Sequence, residues 1–176
     1  MSGPAAALRA AVAESTAQNP FRCYQCGNCS AGCPMSGHGD LLPHQIFRFL
    51  QLESDRPLHA MQPWLCVGCQ TCAVRCPQEL DLSRVMDYLR AEQIRRGTVP
   101  PEAKRMAAFN RLFLERVLAG GRLSEVELGI YLNLANRNPL ENALAVPGLM
   151  ARGKFKLPGK PIRGPGRAVA RGRRPS

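Results

Sequence analysis

Apolar residues recur at helical spacing along most of this chain, and the stretch between its two cysteine groups lacks the strict alternation of a half-buried strand. Residues 4–18 read as a first helix. Ser2 is placed to cap it, Pro4 suits its first turn, and Asn19-Pro20 stops it. A short amphipathic helix is expected over 43–52, where Ile46, Phe47 and Leu50 share a face. Over 81–96, Leu82, Val85, Met86 and Leu89 form one stripe, and Gly97 is suited to a left-handed turn that ends the helix. A further helix over 102–119 carries Met106, Phe109, Leu112, Phe113 and Val117 before Gly120-Gly121. Ser124 and Glu127 then form a capping box for its successor, so a helical hairpin is expected over 102–136. These stripes are scaffold, read as core or interface packing.

The expected class is all-α, divided into an N-terminal helix (1–20), a cysteine-bearing helical domain (21–97), a helical extension (98–150) and an extended tail (151–176). The tail, ARGKFKLPGKPIRGPGRAVARGRRPS, is rich in Gly and Pro and carries nine basic residues with no acid. The whole chain has 24 Lys and Arg against 13 Asp and Glu, so nearly all of its formal +11 belongs to the tail. Such a tail suits an acidic partner surface, nucleic acid or an anionic membrane, and its charge alone does not choose among them. A single aromatic residue there, Phe155, leaves little stacking surface for nucleic acid. No apolar run reaches the roughly 20 residues that span a bilayer. Glu14 interrupts the pattern a signal core needs, and a cytoplasmic location is expected.

In a reducing compartment eight cysteines point to metal or redox work, not disulfides. All eight fall in two arrays of the form C-x2-C-x2-C-x3-C-P: Cys23, Cys26, Cys29, Cys33 with Pro34, and Cys66, Cys69, Cys72, Cys76 with Pro77. This is the run that wraps a 4Fe-4S cube, with its fourth cysteine sent to the other cluster of a pair. Two clusters are therefore expected, one on Cys23, Cys26, Cys29 and Cys76, the other on Cys66, Cys69, Cys72 and Cys33. The short spacings turn successive sulfurs into one concavity, and each proline, with fixed φ and no N–H, turns the chain away. Cys29 and Cys33 would then serve different cubes while separated by at most about 14 Å of extended chain, which makes the two centres near neighbours. A zinc ribbon also uses C-x2-C pairs but leaves the third and fourth members of each array without a role. His38, His44 and His59 show no ligand spacing and are assigned no metal role. Trp64, two residues before Cys66, is expected to shield a cluster or fill the core, and Arg75 to be solvated.

The segments CYQCGNCSAGCP and PWLCVGCQTCAVRCPQELDL, with LPGKPIRG after GKF, resemble the C subunit of soluble heterodisulfide reductase. The resemblance implies a helical dicluster ferredoxin domain. It also implies a hetero-oligomeric complex in which this chain relays electrons between a flavin-containing A subunit and a cysteine-rich, disulfide-reducing B subunit, with no catalytic site of its own. Iron–sulfur subunits of sulfur-oxidising or dehydrogenase complexes share the domain. A basic metal-binding nucleic-acid protein is the remaining alternative. All eight thiols are committed as ligands, which leaves no free cysteine nucleophile, Ser-His-Asp set or phosphate loop.

Overall fold

The computed structural model describes residues 4–120 together with Leu128, Gly129, Tyr131, Asn133 and Gly148. The capping box at Ser124 and Glu127, most of the hairpin's second arm and the basic tail lie outside the described residues. Among the described residues every regular element is helical: α1 Pro4–Thr16, α2 Asn28–Ala31, α3 Pro43–Gln51, α4 Gln62–Leu65, α5 Thr71–Val74, α6 Leu82–Arg96 and α7 Lys104–Gly120, with 3-10 turns at Pro20–Arg22, Arg56–Leu58 and Pro101–Ala103. None of these helices is long and apolar enough to cross a membrane.

The chain divides into two compact units, Met1–Lys104 and Arg105–Ser176. In the first, the expected stripes meet in one core. Leu8 and Val12 of α1, Ile46, Phe47 and Leu50 of α3, and Leu82, Val85, Met86 and Leu89 of α6 are all buried together, with Leu41, Leu58 and Leu80 from the connections. Truncating a side chain such as Leu89 there costs about 2–5 kcal/mol. α6 is well defined at both ends. The Asp81 carboxylate accepts from the N–H groups of Ser83 (3.0 Å) and Arg84 (3.3 Å), satisfying donors the helix start leaves open. At the other end Gly97 adopts φ 70°, and the Thr98 N–H returns to the Gln93 carbonyl at 2.9 Å, the left-handed stop the sequence predicts. Gln18, just past α1, accepts from the Asp81 N–H at 2.8 Å and so ties the first helix to the start of α6.

The two cysteine arrays lie against this core. Five cysteines, Cys23, Cys29, Cys66, Cys72 and Cys76, pack against the cluster of buried side chains, and Cys33 is half-buried. α2 follows the first two cysteines of one array and α5 those of the other, and α2 packs on α5, joining the arrays at the centre of the unit. The contact is close: a Cβ on Gly32 would come within 2.5 Å of the Arg75 guanidinium and 3.2 Å of the Thr71 methyl.

The second unit presents α7. Of its apolar stripe only Leu112 is buried, while Met106, Phe109 and Phe113 are exposed, and the rings of Phe109 and Phe113 stack 5.9 Å apart.

Candidate metal centre

The two arrays follow the same main-chain path. Each makes two left-handed residues, at the second position after its first cysteine and at the position after its second. In the first array these are Gln25 (φ 65°) and Gly27 (φ 79°), and in the second Gly68 (φ 66°) and Gln70 (φ 59°). Glycine and glutamine have exchanged places, so each array holds one glutamine where an L side chain is disfavoured by roughly 1–2 kcal/mol. Such strain persists where the surroundings demand the shape. The left-handed residue then starts a one-turn helix. The Ser30 and Ala31 N–H groups return to the Gly27 carbonyl as Ala73 and Val74 return to Gln70, and Cys33 N–H bonds Ser30 as Cys76 bonds Ala73.

This path brings the sulfurs together across the arrays. One apolar cavity is bordered by Cys23, Cys26, Cys29 and Cys76, with Cys72, His44, Phe47, Leu80 and Leu82 completing its wall. A second is bordered by Cys66, Cys69, Cys72 and Cys33, with Pro43, Gln62, Leu82, Ser83 and Met86. Every cysteine singled out by the motif thus sits on one of the two cavities, and the fourth cysteine of each array stands beside the first three of the other. Cys72 borders both.

These residues fit a 4Fe-4S group. The donors are soft thiols, at least four to a cavity with Cys72 shared, and main-chain N–H groups are turned to sulfur: that of Gln25 serves Cys23 and that of Gly68 serves Cys66. Among the described residues no three His, Cys, Asp or Glu converge tightly enough to grip one metal ion. Sulfurs spread around a cavity suit a polynuclear group better than a single zinc with thiolates at about 2.3 Å. Burial raises the thiol pKa of Cys23, Cys29 and Cys66 and takes that of Cys72 to about 11, whereas hydrogen bonds from Thr71 lower that of exposed Cys69. Ligation requires thiolates, so loading this site releases protons.

The helices that follow each array hold it in matching ways. In α3 the Gln51 amide donates to the carbonyls of Cys23 (2.6 Å) and Pro20 (2.9 Å). In α6, seven residues past Ser83 as Gln51 is seven past His44, Arg90 reaches the Cys66 carbonyl at 3.4 Å. The connector in the first half is longer, and Asp40 within it accepts from the N–H groups of Met61 (2.9 Å) and Gln62 (3.1 Å), capping α4 just before the second array.

Several of these residues escape the motif. His44 stands in the wall of the first cavity, its Nδ1 2.7 Å from the Ser30 hydroxyl, and its own N–H donates to the same oxygen at 3.0 Å. The signal available in the sequence is its place one residue after the proline that opens α3. His38 and His59 are exposed. Trp64 is 2% exposed and belongs to the core. It borders neither cavity, and its indole N–H is bonded to Gln93, whose amide in turn donates to the carbonyls of Pro57 (3.1 Å) and Ala60 (2.9 Å). Arg75 is exposed, as expected.

Comparison with known proteins agrees with this chemistry. Residues 22–80 match the 4Fe-4S dicluster domain family. The chain is 28% identical over 117 residues to an iron–sulfur C subunit of the CoB–CoM heterodisulfide reductase of Methanocaldococcus jannaschii, covering 66% of this chain and 62% of that one. It is 29% identical over 96 residues to the C subunit of the ferredoxin:CoB–CoM heterodisulfide reductase of Methanosarcina mazei, covering 54% and 60%, and 38% identical over 77 residues to the corresponding protein of Methanosarcina acetivorans, covering 43% and 31%. The chain therefore spans less than two thirds of the length of each of these relatives. With eight cysteines in paired 4Fe-4S arrays, the chain carries a 4Fe-4S dicluster domain and is similar to the C subunits of heterodisulfide reductase.

Proposed function

We propose that this chain is the electron-relay subunit of a heterodisulfide-reductase-type complex, holding two 4Fe-4S clusters and passing electrons between a flavin-containing A-like subunit and a cysteine-rich B-like subunit in the cytoplasm. Cys23, Cys26, Cys29 and Cys76 hold one cluster, and Cys66, Cys69, Cys72 and Cys33 the other. The observation that carries this reading is the pair of adjacent cavities, each bordered by three cysteines of one array and the fourth of the other, with Cys72 on both. When bound, such clusters take up and return single electrons, and two in contact make a relay.

The chain's own part is to seat, shield and tune. α3 and α6 wall the cavities with Phe47, Leu82 and Met86, which keeps water from the buried sulfurs. Main-chain N–H groups steady the thiolates. Cys26 and Cys69, the middle ligands, are exposed, and with Tyr24 and Val67, also exposed, they give each site an outer face where an electron can enter or leave without crossing the core.

Anaerobic purification with iron and acid-labile sulfide analysis tests the reading. About eight irons and eight sulfides per chain are expected, with an EPR spectrum of the dithionite-reduced protein broadened by coupling between two close centres, and with co-purification of flavin-containing and cysteine-rich partners. Stoichiometric zinc in place of iron contradicts it.

A further inference from the structure

Because the arrays share one main-chain path, their side-chain differences are informative. Position by position, Gln25 corresponds to Gly68, Ser30 to Ala73 and, at the start of the helix that follows, His44 to Ser83. Phe47 and Met86, each three residues further on, line the respective cavities. At these positions the first site carries polar hydrogens that the second lacks. Gln25 Nε2 donates to Cys23 Sγ at 3.3 Å, in addition to its main-chain N–H, whereas Gly68 has no side chain to offer.

The Ser30–His44 pair supplies another donor whichever ring nitrogen carries the proton. The Ser30 hydroxyl accepts from the His44 main chain. If its own proton goes to Nδ1, the imidazole keeps an Nε2–H on the cavity wall. If Nδ1–H donates to Ser30, the hydroxyl proton is released toward Cys29, which feels the Ser30 side chain as a hydrogen-bond donor. In the second site Ala73 has nothing to give, and the Ser83 hydroxyl is committed to the Asp81 carboxylate at 2.5 Å.

The second site has donors and charges of its own, and they weigh less. Thr71 serves Cys69, but at an exposed sulfur where water competes. Arg90 lies near Cys66 but is ion-paired to Asp87, which offsets its field, and Asp81 adds a negative charge near Cys72. Gln62 and Gln70 are both in the wall, yet the Gln62 side-chain oxygen faces Gly39 without a partner, and among the described residues the Gln70 amide donates to no sulfur.

Reduction adds negative charge, and hydrogen-bond donors to sulfur favour the reduced form. We infer that the two sites hold their clusters at unequal reduction potentials, the Cys23–Cys26–Cys29–Cys76 site at the higher one, because Gln25 and the Ser30–His44 pair present donors to its sulfurs where the other site has Gly68, Ala73 and Ser83. The inference rests on the ligand sets of the proposed relay. In consequence a single electron on the chain rests at the first site, and Gln25, Ser30 and His44 are tuning residues that set the direction of downhill transfer.

The test is an EPR-monitored potentiometric titration of the full chain, purified anaerobically, with iron and sulfide measured on each sample. Gln25→Gly removes the donor without endangering the turn, since glycine already occupies the same left-handed conformation at Gly68. It is expected to lower the higher midpoint only, changing the occupancy ratio between the sites about threefold to tenfold, where tenfold is about 59 mV for one electron. Ser30→Ala, copying Ala73, is expected to act in the same direction. Gly68→Gln, whose added Cβ meets nothing within 4 Å, is expected to raise the lower midpoint and bring the two together. Full cluster content with both midpoints unmoved by Gln25→Gly overturns the inference while leaving the relay intact. So does a shift confined to the lower midpoint, which reverses the assignment. Absence of clusters from the wild-type chain overturns the inference and the relay reading together.

Discussion

The first and second halves of the cysteine domain share a main chain and differ in what secures it. Pro20, Phe21 and Cys23 repeat as Pro63, Trp64 and Cys66, but Phe21 is 61% exposed beneath the Arg9 guanidinium while Trp64 is buried on Gln93. The Gln51 side chain anchors the start of the first array by donating to the Pro20 and Cys23 carbonyls, whereas the second is held by a single longer bond from the Arg90 side chain to the Cys66 carbonyl. The second half instead draws its rigidity from the buried Trp64–Gln93 network. Ligation geometry is thus a main-chain property that tolerates exchange of Gly and Gln, whereas stability and tuning are side-chain properties that the halves have divided unequally.

The largest effect expected from breaking this comparison is at Gln93, which is fully buried and satisfies one N–H and two carbonyls. Gln93→Ala leaves all three without partners and is expected to destabilise the domain by about 3–5 kcal/mol, read by thermal or urea unfolding. The first half has no equivalent of that network, and its anchor is smaller: Gln51→Ala is expected to cost about 1–2 kcal/mol, and Arg90→Ala less than Gln51→Ala. Equal costs for Gln51 and Arg90 contradict this asymmetry.

A subtler expectation concerns charge at the end of α6. Glu92 is buried and accepts from Arg95 and Arg96, which hold its carboxyl at about 2. Its pKa is depressed in the folded chain, so its stabilisation is present above the usual carboxylate value of 4.5 and fades as pH falls toward 2. Glu92→Gln is expected to lower stability by about 1–2 kcal/mol at neutral pH, and the gap from wild type should narrow only below about pH 4.5. A gap that narrows between pH 8 and 6 contradicts the assignment. The smallest effect is at Gln70. Glycine there relieves a left-handed φ of 59°, so Gln70→Gly should raise stability by up to about 1 kcal/mol and leave both cluster midpoints where they are.

Much of the fold was legible because it rests on periodic patterns. The stripes of α3 and α6, the stop of α1 before Asn19-Pro20, the stop at Gly97 and the four-and-four grouping of the cysteines are all local sequence signals. The one-turn helices α2 and α5 were not legible, since four residues carry no period and one of them starts from a non-glycine left-handed residue, Gln70, that propensity argues against. The pairing of Ser30 with His44 joins positions fourteen apart across a turn, and no local pattern announces it. Trp64 was visible as a large aromatic beside a ligand, but its direction depends on Gln93, 29 residues away.

In the proposed relay, exchange of the fourth cysteine between arrays underlies both electron transfer and the unequal tuning of the two sites. Cys76→Ser, followed by EPR and iron analysis of the anaerobically purified chain, tests that exchange most directly. The expected result is loss or alteration of the centre on Cys23, Cys26 and Cys29, with the centre on Cys66, Cys69 and Cys72 retained and its signal no longer broadened by a reduced neighbour. Loss of the centre on Cys66, Cys69 and Cys72 alone, with the other intact, would contradict it.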